Sequence, residues 1–131
     1  MSVEEKDAIR EVLAEYCFAL DNYRFSDMAA LFTEDGIWDT AFGKATGREA
    51  IAAQANRISD PPAQRQRRIH MMANILIKLA GEDAQVMSNW EMLQNGEQGP
   101  HVSSAGAYDD RMVKRDGRWL FQIRKIDRFI K

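Results

Sequence analysis

Residues 105–126, AGAYDDRMVKRDGRWLFQIRKI, decide the fold because they hold two strand-like segments joined by a tight turn. The pair Asp116-Gly117 is a strong hairpin signal, since both residue types tolerate the positive φ angles of a two-residue turn. After the turn, one apolar series alternates with a mixed series: Trp119, Phe121 and Ile123 against Leu120, Gln122 and Arg124. A period of two is typical of a strand, so the stretch predicts an antiparallel hairpin.

The segments before this hairpin have the same period and extend it into a meander. From Arg67 onward one predicted face is continuously apolar and the other is mixed: Ile69, Met71, Ala73, Ile75, Ile77 and Leu79 against His70, Met72, Asn74, Leu76 and Lys78. Reversals are predicted at Gly81-Glu82-Asp83 and at Asn95-Gly96. Further strands are therefore expected over Ala84–Leu93 and roughly Val102–Lys114.

The N-terminal half has a helical period instead. Its first apolar positions recur every three or four residues: Ile9, Val12, Leu13, Tyr16, Cys17 and Leu20. A short second helix is predicted after Ser26, ending at a turn over residues 33–36, with a short strand at Ile37-Trp38. The Ala-rich segment Arg48–Ile58 predicts a third helix. Helices followed by long antiparallel strands indicate an α+β fold.

Composition is that of a globular protein, and the length favours one domain over residues 1–131. Hydrophobic residues make up 45% of the chain and charged residues 29%, with a net charge of -2. This charge gives no general attraction to nucleic acid or anionic lipid, so neither nucleic acid nor a membrane is expected as a partner. The basic cluster Arg65, Arg67 and Arg68 is interpreted as solvated surface. A lone Cys17 and no apparent leader or spanning stretch predict a cytoplasmic location.

The chain resembles a known family in three motifs and in their order along the sequence. They are LFTEDGIWD at 31–39, IHMMANI at 69–75 and the stretch 105–126. Over essentially its whole length it resembles the SnoaL-like group of the nuclear-transport-factor-2-like superfamily. Relatives in that superfamily include polyketide cyclases, scytalone dehydratase, hexachlorocyclohexane dehydrochlorinase and the small subunits of ring-hydroxylating dioxygenases. The resemblance implies a cystatin-like cone, in which three N-terminal helices pack on a curved, mostly antiparallel sheet that encloses a pocket. A shared fold does not specify a reaction.

The resemblance also implies a catalytic pair. In the dehydratase and dehydrochlorinase branches an Asp at the end of the first helix pairs with a His on the first long strand, and the matching positions are Asp21 and His70. Such a pair acts as a base because the carboxylate fixes the imidazole tautomer and stabilises the imidazolium that forms. The residues alone also allow a helix-end Asp21 bonded to nearby backbone and a satisfied, partly buried His70.

Other site residues are expected from the family layout. Tyr16 is a candidate donor to a carbonyl oxygen, or else a core tyrosine with a satisfied hydroxyl. The pocket wall is expected to include Tyr23, Trp38, Asn74, Trp90 and Tyr108. Arg124 is a candidate anion ligand at the pocket mouth, although a solvated strand residue is the commoner role for arginine. The expected ligand is a small apolar or aromatic molecule.

Two functions remain open at this stage. The first is an enzyme that removes a proton from carbon, giving dehydration, elimination, isomerisation or cyclisation. The second is a noncatalytic ligand-binding or structural subunit. It is favoured because the dehydratase branch has a second catalytic His on the third long strand, where this chain has Ser103, Ala105 and Ala107. His101 lies only at the entrance of that strand. Neither a metal nor a cofactor is expected, since spaced ligands and phosphate-binding glycines are absent. The apolar face of the first long strand predicts a homodimer or homotrimer.

Overall fold

Three helices pack against one six-stranded sheet in the computed structural model, which describes residues 2–131. The helices are α1 (Ser2–Asp21), α2 (Phe25–Ala29) and α3 (Arg48–Ile58), with a 3-10 turn at Pro62–Gln64. The strands are β1 (Phe32–Thr40), β2 (Gly43–Thr46), β3 (Arg68–Ala80), β4 (Asp83–Gly96), β5 (Gly99–Arg115) and β6 (Arg118–Ile130). Their order is β2-β1-β6-β5-β4-β3, and only β1 and β6 run parallel. The predicted cystatin-like α+β fold, with a curved and mostly antiparallel sheet, is confirmed.

The hairpin of β5 and β6 lies where the sequence predicts it. Asp116 and Gly117 form its turn with φ angles of 53° and 76°. Trp119 is buried directly after the turn, and its Nε1 donates to Glu5 of α1 at 2.6 Å. Lys114 donates to the other oxygen of Glu5 at 2.7 Å. These two hydrogen bonds lower the pKa of Glu5 and fasten the first turns of α1 to the hairpin.

The buried face of α1 follows the predicted helical stripe. Ile9, Leu13 and Tyr16 are buried, and the ring of Tyr16 meets that of Phe121 edge-on at 5.8 Å. Burial of each large apolar side chain stabilises the fold by about 1.5–3 kcal/mol. The helix is thereby fixed across the concave side of the sheet, and its last residue, Asp21, is brought to the start of β3. Among the described residues no helix is long and apolar enough to span a bilayer.

The segment between α2 and α3 differs from the prediction. Ser26 lies inside α2 rather than capping it, and the expected turn over residues 33–36 lies within β1. Gly36 explains the difference, because a Cβ there would come within 2.9 Å of the Phe32 Cβ, so the strand can bend sharply only with glycine. The register of β1 against β6 shifts at this bend. Similarly, the reversal predicted at Asn95-Gly96 falls at residues 97–98.

A bulge divides β3 and makes the prediction of one continuous apolar face wrong. The register against β4 shifts between Ala73 and Leu76, and Asn74 has a φ of 55°. An extra residue in a strand reverses which face the following side chains occupy. Ile69 and Met71 are therefore 48% and 49% exposed on the outer face, whereas Ile77 is only 6% exposed.

Candidate active site

The end of α1 meets the beginning of β3 at a buried carboxylate–imidazole pair. Asp21 Oδ1 lies 2.5 Å from Nδ1 of His70, and Asp21 Oδ2 accepts a hydrogen bond from the backbone N–H of His70 at 2.8 Å. The side chains are only 11% and 9% exposed. The two residues are 49 positions apart, so tertiary packing alone brings them together.

The contacts of Asp21 determine which imidazole nitrogen is available for chemistry. Its carboxylate accepts a hydrogen bond from Nδ1–H, and Nε2 has no hydrogen-bond partner within residues 2–131. Arg68 lies on the other side, with Nε 4.0 Å from Asp21 Oδ1 and a guanidinium N–H donated to the carbonyl of Leu20 at 2.7 Å. The carboxylate therefore faces two donors and a positive charge, an arrangement that fixes its position and that of the imidazole.

His70 lines a cavity of about 200 Å³ on the concave side of the sheet. Four more of the predicted site residues line the same cavity: Tyr16, Trp38, Trp90 and Tyr108. The indole of Trp90 lies between the other rings, 6.0 Å from His70 and stacked 5.9 Å from Tyr108. The wall is mainly aromatic and aliphatic, as in most small-molecule sites.

Two phenol groups in this cavity are placed as hydrogen-bond donors. The Tyr16 oxygen accepts from Trp38 Nε1 at 3.0 Å, which leaves its own O–H to donate. The Tyr108 hydroxyl has no partner within residues 2–131, and the two rings meet edge-on at 6.0 Å. Burial raises the pKa of Tyr16 to about 12 and that of Tyr108 well above its usual value. Both phenols therefore stay protonated at neutral pH and can donate to an oxygen.

Arg124 is neither at the pocket mouth nor solvated, so both sequence interpretations of it are wrong. It is fully buried, with Nε 3.2 Å from Oδ1 of its cross-strand neighbour Asp110. Its guanidinium carbon lies 3.4 Å from the ring centroid of Tyr108 and 4.2 Å from that of Tyr16. The positive charge opposes the effect of burial on both phenol pKa values. Burial also raises the pKa of Asp110 to about 7, against the opposing charge of Arg124.

Two other predicted wall residues do not line the cavity. The hydroxyl of Tyr23 donates to the carbonyl of Gln66 at 2.7 Å, and its ring packs beneath Arg65 and Arg68. The predicted solvated basic cluster is thus partly a packing surface for Tyr23. Asn74 occupies the β3 bulge, where a positive φ is tolerated better by asparagine than by most residues, and its side chain is exposed.

On β5, the residues expected in place of the second histidine, Ser103, Ala105 and Ala107, do not line the cavity. The inner face in this part of the strand carries the buried residues Ser104 and Tyr108. Within the described residues, no histidine of β5 lines the cavity. Ser104 lines the cavity, and its spacing of four residues from Tyr108 was the signal that could have placed it on the same face.

Arg128 is the most informative residue that sequence reasoning missed. It lines the cavity from β6, and the period of two places it on the inner face with Arg124 and Ile126. That alternation was available in the sequence, but it was followed only as far as Arg124. Elsewhere in residues 2–131, no group of three or more His, Cys, Asp or Glu side chains is placed to hold a metal ion.

Comparisons with known proteins agree with this geometry at the level of the fold. The family model of the SnoaL-like domain matches residues 1–125. A protein of unknown function from Mycobacterium tuberculosis is 25% identical with a TM-score of 0.87, over 98% of this chain and 73% of that one. A putative scytalone dehydratase from Novosphingobium aromaticivorans is 27% identical with a TM-score of 0.82, over 98% of this chain and 87% of that one. A Catenulispora acidiphila protein in complex with S-DNPA is 26% identical with a TM-score of 0.83, over 96% of this chain and 94% of that one. No protein with a curated description matches the sequence.

Proposed function

The chain belongs to the SnoaL-like family, and on that premise we propose that it is a cofactor-independent lyase or isomerase that removes a proton from carbon. The observation that carries the proposal is the contact of Asp21 with Nδ1 of His70, a residue that lines an aromatic cavity. Dehydration, elimination, isomerisation and cyclisation share this first step. The substrate is a small molecule with an aromatic or apolar body.

In the proposed reaction His70 Nε2 takes a proton from a carbon next to a carbonyl group. The C–H electron pair moves toward the carbonyl carbon, and negative charge develops on the carbonyl oxygen. Tyr16 and Tyr108 donate to that oxygen, and a donor of this kind is worth about 10²–10³ in kcat. The imidazolium, stabilised by Asp21, then returns its proton to another carbon or to a leaving group.

Self-association, location and domain organisation complete the proposal. The outer face of β3 and β4 exposes Ile69, Met71, Leu76 and Met87, and a second copy of the chain would cover these side chains. A homodimer is proposed first and a homotrimer second. Burial raises the pKa of the only cysteine, Cys17, to about 11, which supports a packed thiol. A cytoplasmic location and a single domain over residues 1–131 are also part of the proposal.

Hydrogen–deuterium exchange tests the chemical step without knowledge of the natural product. The protein is incubated in D₂O with 2-tetralone, whose CH₂ groups lie next to a carbonyl, and loss of the proton signals is followed by NMR. We expect exchange with the native protein and its loss in His70→Ala. His101→Ala is the matched control, because His101 is exposed and does not line the cavity. Exchange no faster than that of free imidazole, or unchanged in His70→Ala, would favour the noncatalytic ligand-binding or structural role.

A further inference from the structure

The wall of the cavity carries positive charge that the proposed proton transfer does not use. Arg68 and Arg128 both line the cavity, and none of its other lining residues is an aspartate or glutamate. The whole chain has a net charge of -2, so the excess of positive charge is local. A low-polarity cleft lined by one sign of charge attracts ligands of the opposite sign.

The two arginines differ in their protein contacts. Arg68 donates to the carbonyl of Leu20, packs over Tyr23 and lies near Asp21, so its guanidinium already has a structural role. The side chain of Arg128 has no hydrogen bond or ion pair within residues 2–131, and its Nε is buried without a partner. Its guanidinium carbon lies 5.7 Å from the centroid of the Phe42 ring. A desolvated N–H without a partner is costly, and a bound anion would supply the missing acceptor.

The fold positions Arg128 through an interaction between three neighbouring strands. Gly106 pairs with Arg128 at a shift in register, and any side chain at this glycine would collide with the carbonyl of Asp127. The same carbonyl accepts a hydrogen bond from Trp90 Nε1 at 3.2 Å. Trp90 therefore fixes the end of β6 while its ring lies against His70. Through Trp90, the proposed base His70 and the guanidinium of Arg128 are held on the same wall of the cavity.

We propose that Arg128 binds a carboxylate of the substrate, so that the enzyme acts on a small aromatic or unsaturated carboxylic acid. This inference rests on the proposed function, because it specifies the substrate class of the same cavity. Guanidinium has the planar fork that matches a carboxylate in a bidentate pair. The aromatic rings of Phe42 and Trp90 line the remainder of the wall. A cavity of about 200 Å³ is smaller than the roughly 300–1,000 Å³ of drug-sized sites, which favours a small acid.

The test compares two probes of nearly the same shape, trans-cinnamate and its neutral analogue trans-cinnamamide. Their affinities are measured by isothermal titration with the native protein and with Arg128→Met, which keeps much of the aliphatic stem without the charge. Arg128→Lys tests whether charge alone is sufficient. Arg111→Met is the control for net charge, since Arg111 is an exposed arginine of β5 that does not line the cavity.

We expect native protein and Arg111→Met to bind cinnamate about tenfold more tightly than cinnamamide, the ratio for one charge-assisted pair. Arg128→Met should lose this preference while cinnamamide affinity changes little, which also shows that the cavity is intact. Arg128→Lys should keep part of it. Equal affinities in the native protein, a preference that survives in Arg128→Met, or no saturable binding of either probe at millimolar concentration would overturn the inference. His70→Ala should keep the preference, so a failure of catalysis is distinguishable from a failure of carboxylate binding.

Discussion

Replacing Asp21 by asparagine should reverse the hydrogen-bonding polarity of the dyad with almost no change in shape. The carboxylate accepts from both the backbone N–H and Nδ1 of His70. An amide has one acceptor and one donor group. If its oxygen keeps the backbone hydrogen bond, its NH₂ group faces Nδ1, which must then become an acceptor. The ring proton would move to Nε2, the nitrogen that has to be unprotonated to act as a base.

The expected magnitudes follow from these contacts. Asp21→Asn loses one buried, charge-assisted hydrogen bond, so the free energy of unfolding should fall by about 1.5–3 kcal/mol. That is well below a typical total stability of about 5–15 kcal/mol, and the variant should still fold. Proton abstraction should fall much further, because the equivalent carboxylate-to-amide change in a serine-protease triad lowers kcat about 10⁴-fold through the wrong tautomer.

The tautomer can be observed directly by two-bond ¹H–¹⁵N NMR of the histidine ring. In the native protein we expect Nδ1 to carry the proton, and in Asp21→Asn we expect Nε2 to carry it. Urea unfolding gives the change in stability, and deuterium exchange into 2-tetralone gives the change in proton abstraction. A native His70 protonated on Nε2, or a variant that retains both the native tautomer and the native exchange rate, would refute the assignment of Asp21 as the orienting group.

Three further predictions concern stability and assembly. Trp119→Ala should destabilise the protein by about 3–5 kcal/mol because it removes a buried aromatic ring, whereas His70→Ala should leave folding nearly intact; equal losses of melting temperature would make His70 a core residue. Met71→Glu places a charge on the exposed outer face of β3 and should convert the self-associated native protein to a monomer in light scattering; a native monomer at micromolar concentration contradicts the proposed assembly. The pKa of Asp110 is raised from 3.8 to about 7, so the native state holds its proton more tightly than the unfolded state, and the free energy of unfolding should decrease as pH rises through this window. Urea unfolding at about pH 5 and about pH 8 should show this decrease in the native protein and not in Asp110→Asn, and an equal decrease in both would exclude Asp110 as its source.

The sequence predicts those elements whose signals are local. Asp116-Gly117 defines a hairpin because the backbone conformation and residue preferences belong to the same two positions. The stripe containing Ile9 and Leu13 defines α1 because its period persists over several turns. The proximity of Asp21 and His70 is not a local property, because it depends on how α1 crosses the sheet. It was predicted from the resemblance to a family and could not be predicted from the residues alone.

Prediction failed where one residue changes the phase of a strand. The bulge at Asn74 transfers the later apolar residues of β3 to the inner face. Asn74 itself gives no Gly or Pro signal. Arg124 was misjudged partly for the same reason, because a register shift between β5 and β6 leaves Gln122 without a partner residue and brings Arg124 onto the face of Phe121, 4.7 Å from its ring centroid. A buried arginine is also rare, and its partner Asp110 lies on a neighbouring strand.

The buried charges in this protein are concentrated beside the phenol groups of the cavity. Arg124 contacts the rings of both Tyr16 and Tyr108, and its ion pair with Asp110 leaves several buried polar atoms of the two side chains without a hydrogen bond in the described part of the chain. An apolar pair of similar volume would often be equally stable or more stable, so stability alone is a weak reason for this arrangement. Local rules of good packing are commonly broken at functional sites. A fixed positive charge against two phenol rings stabilises negative charge near their hydroxyl groups. The proposed proton abstraction creates such a charge on the carbonyl oxygen that these hydroxyls would bind, so the buried Arg124 would stabilise that oxygen.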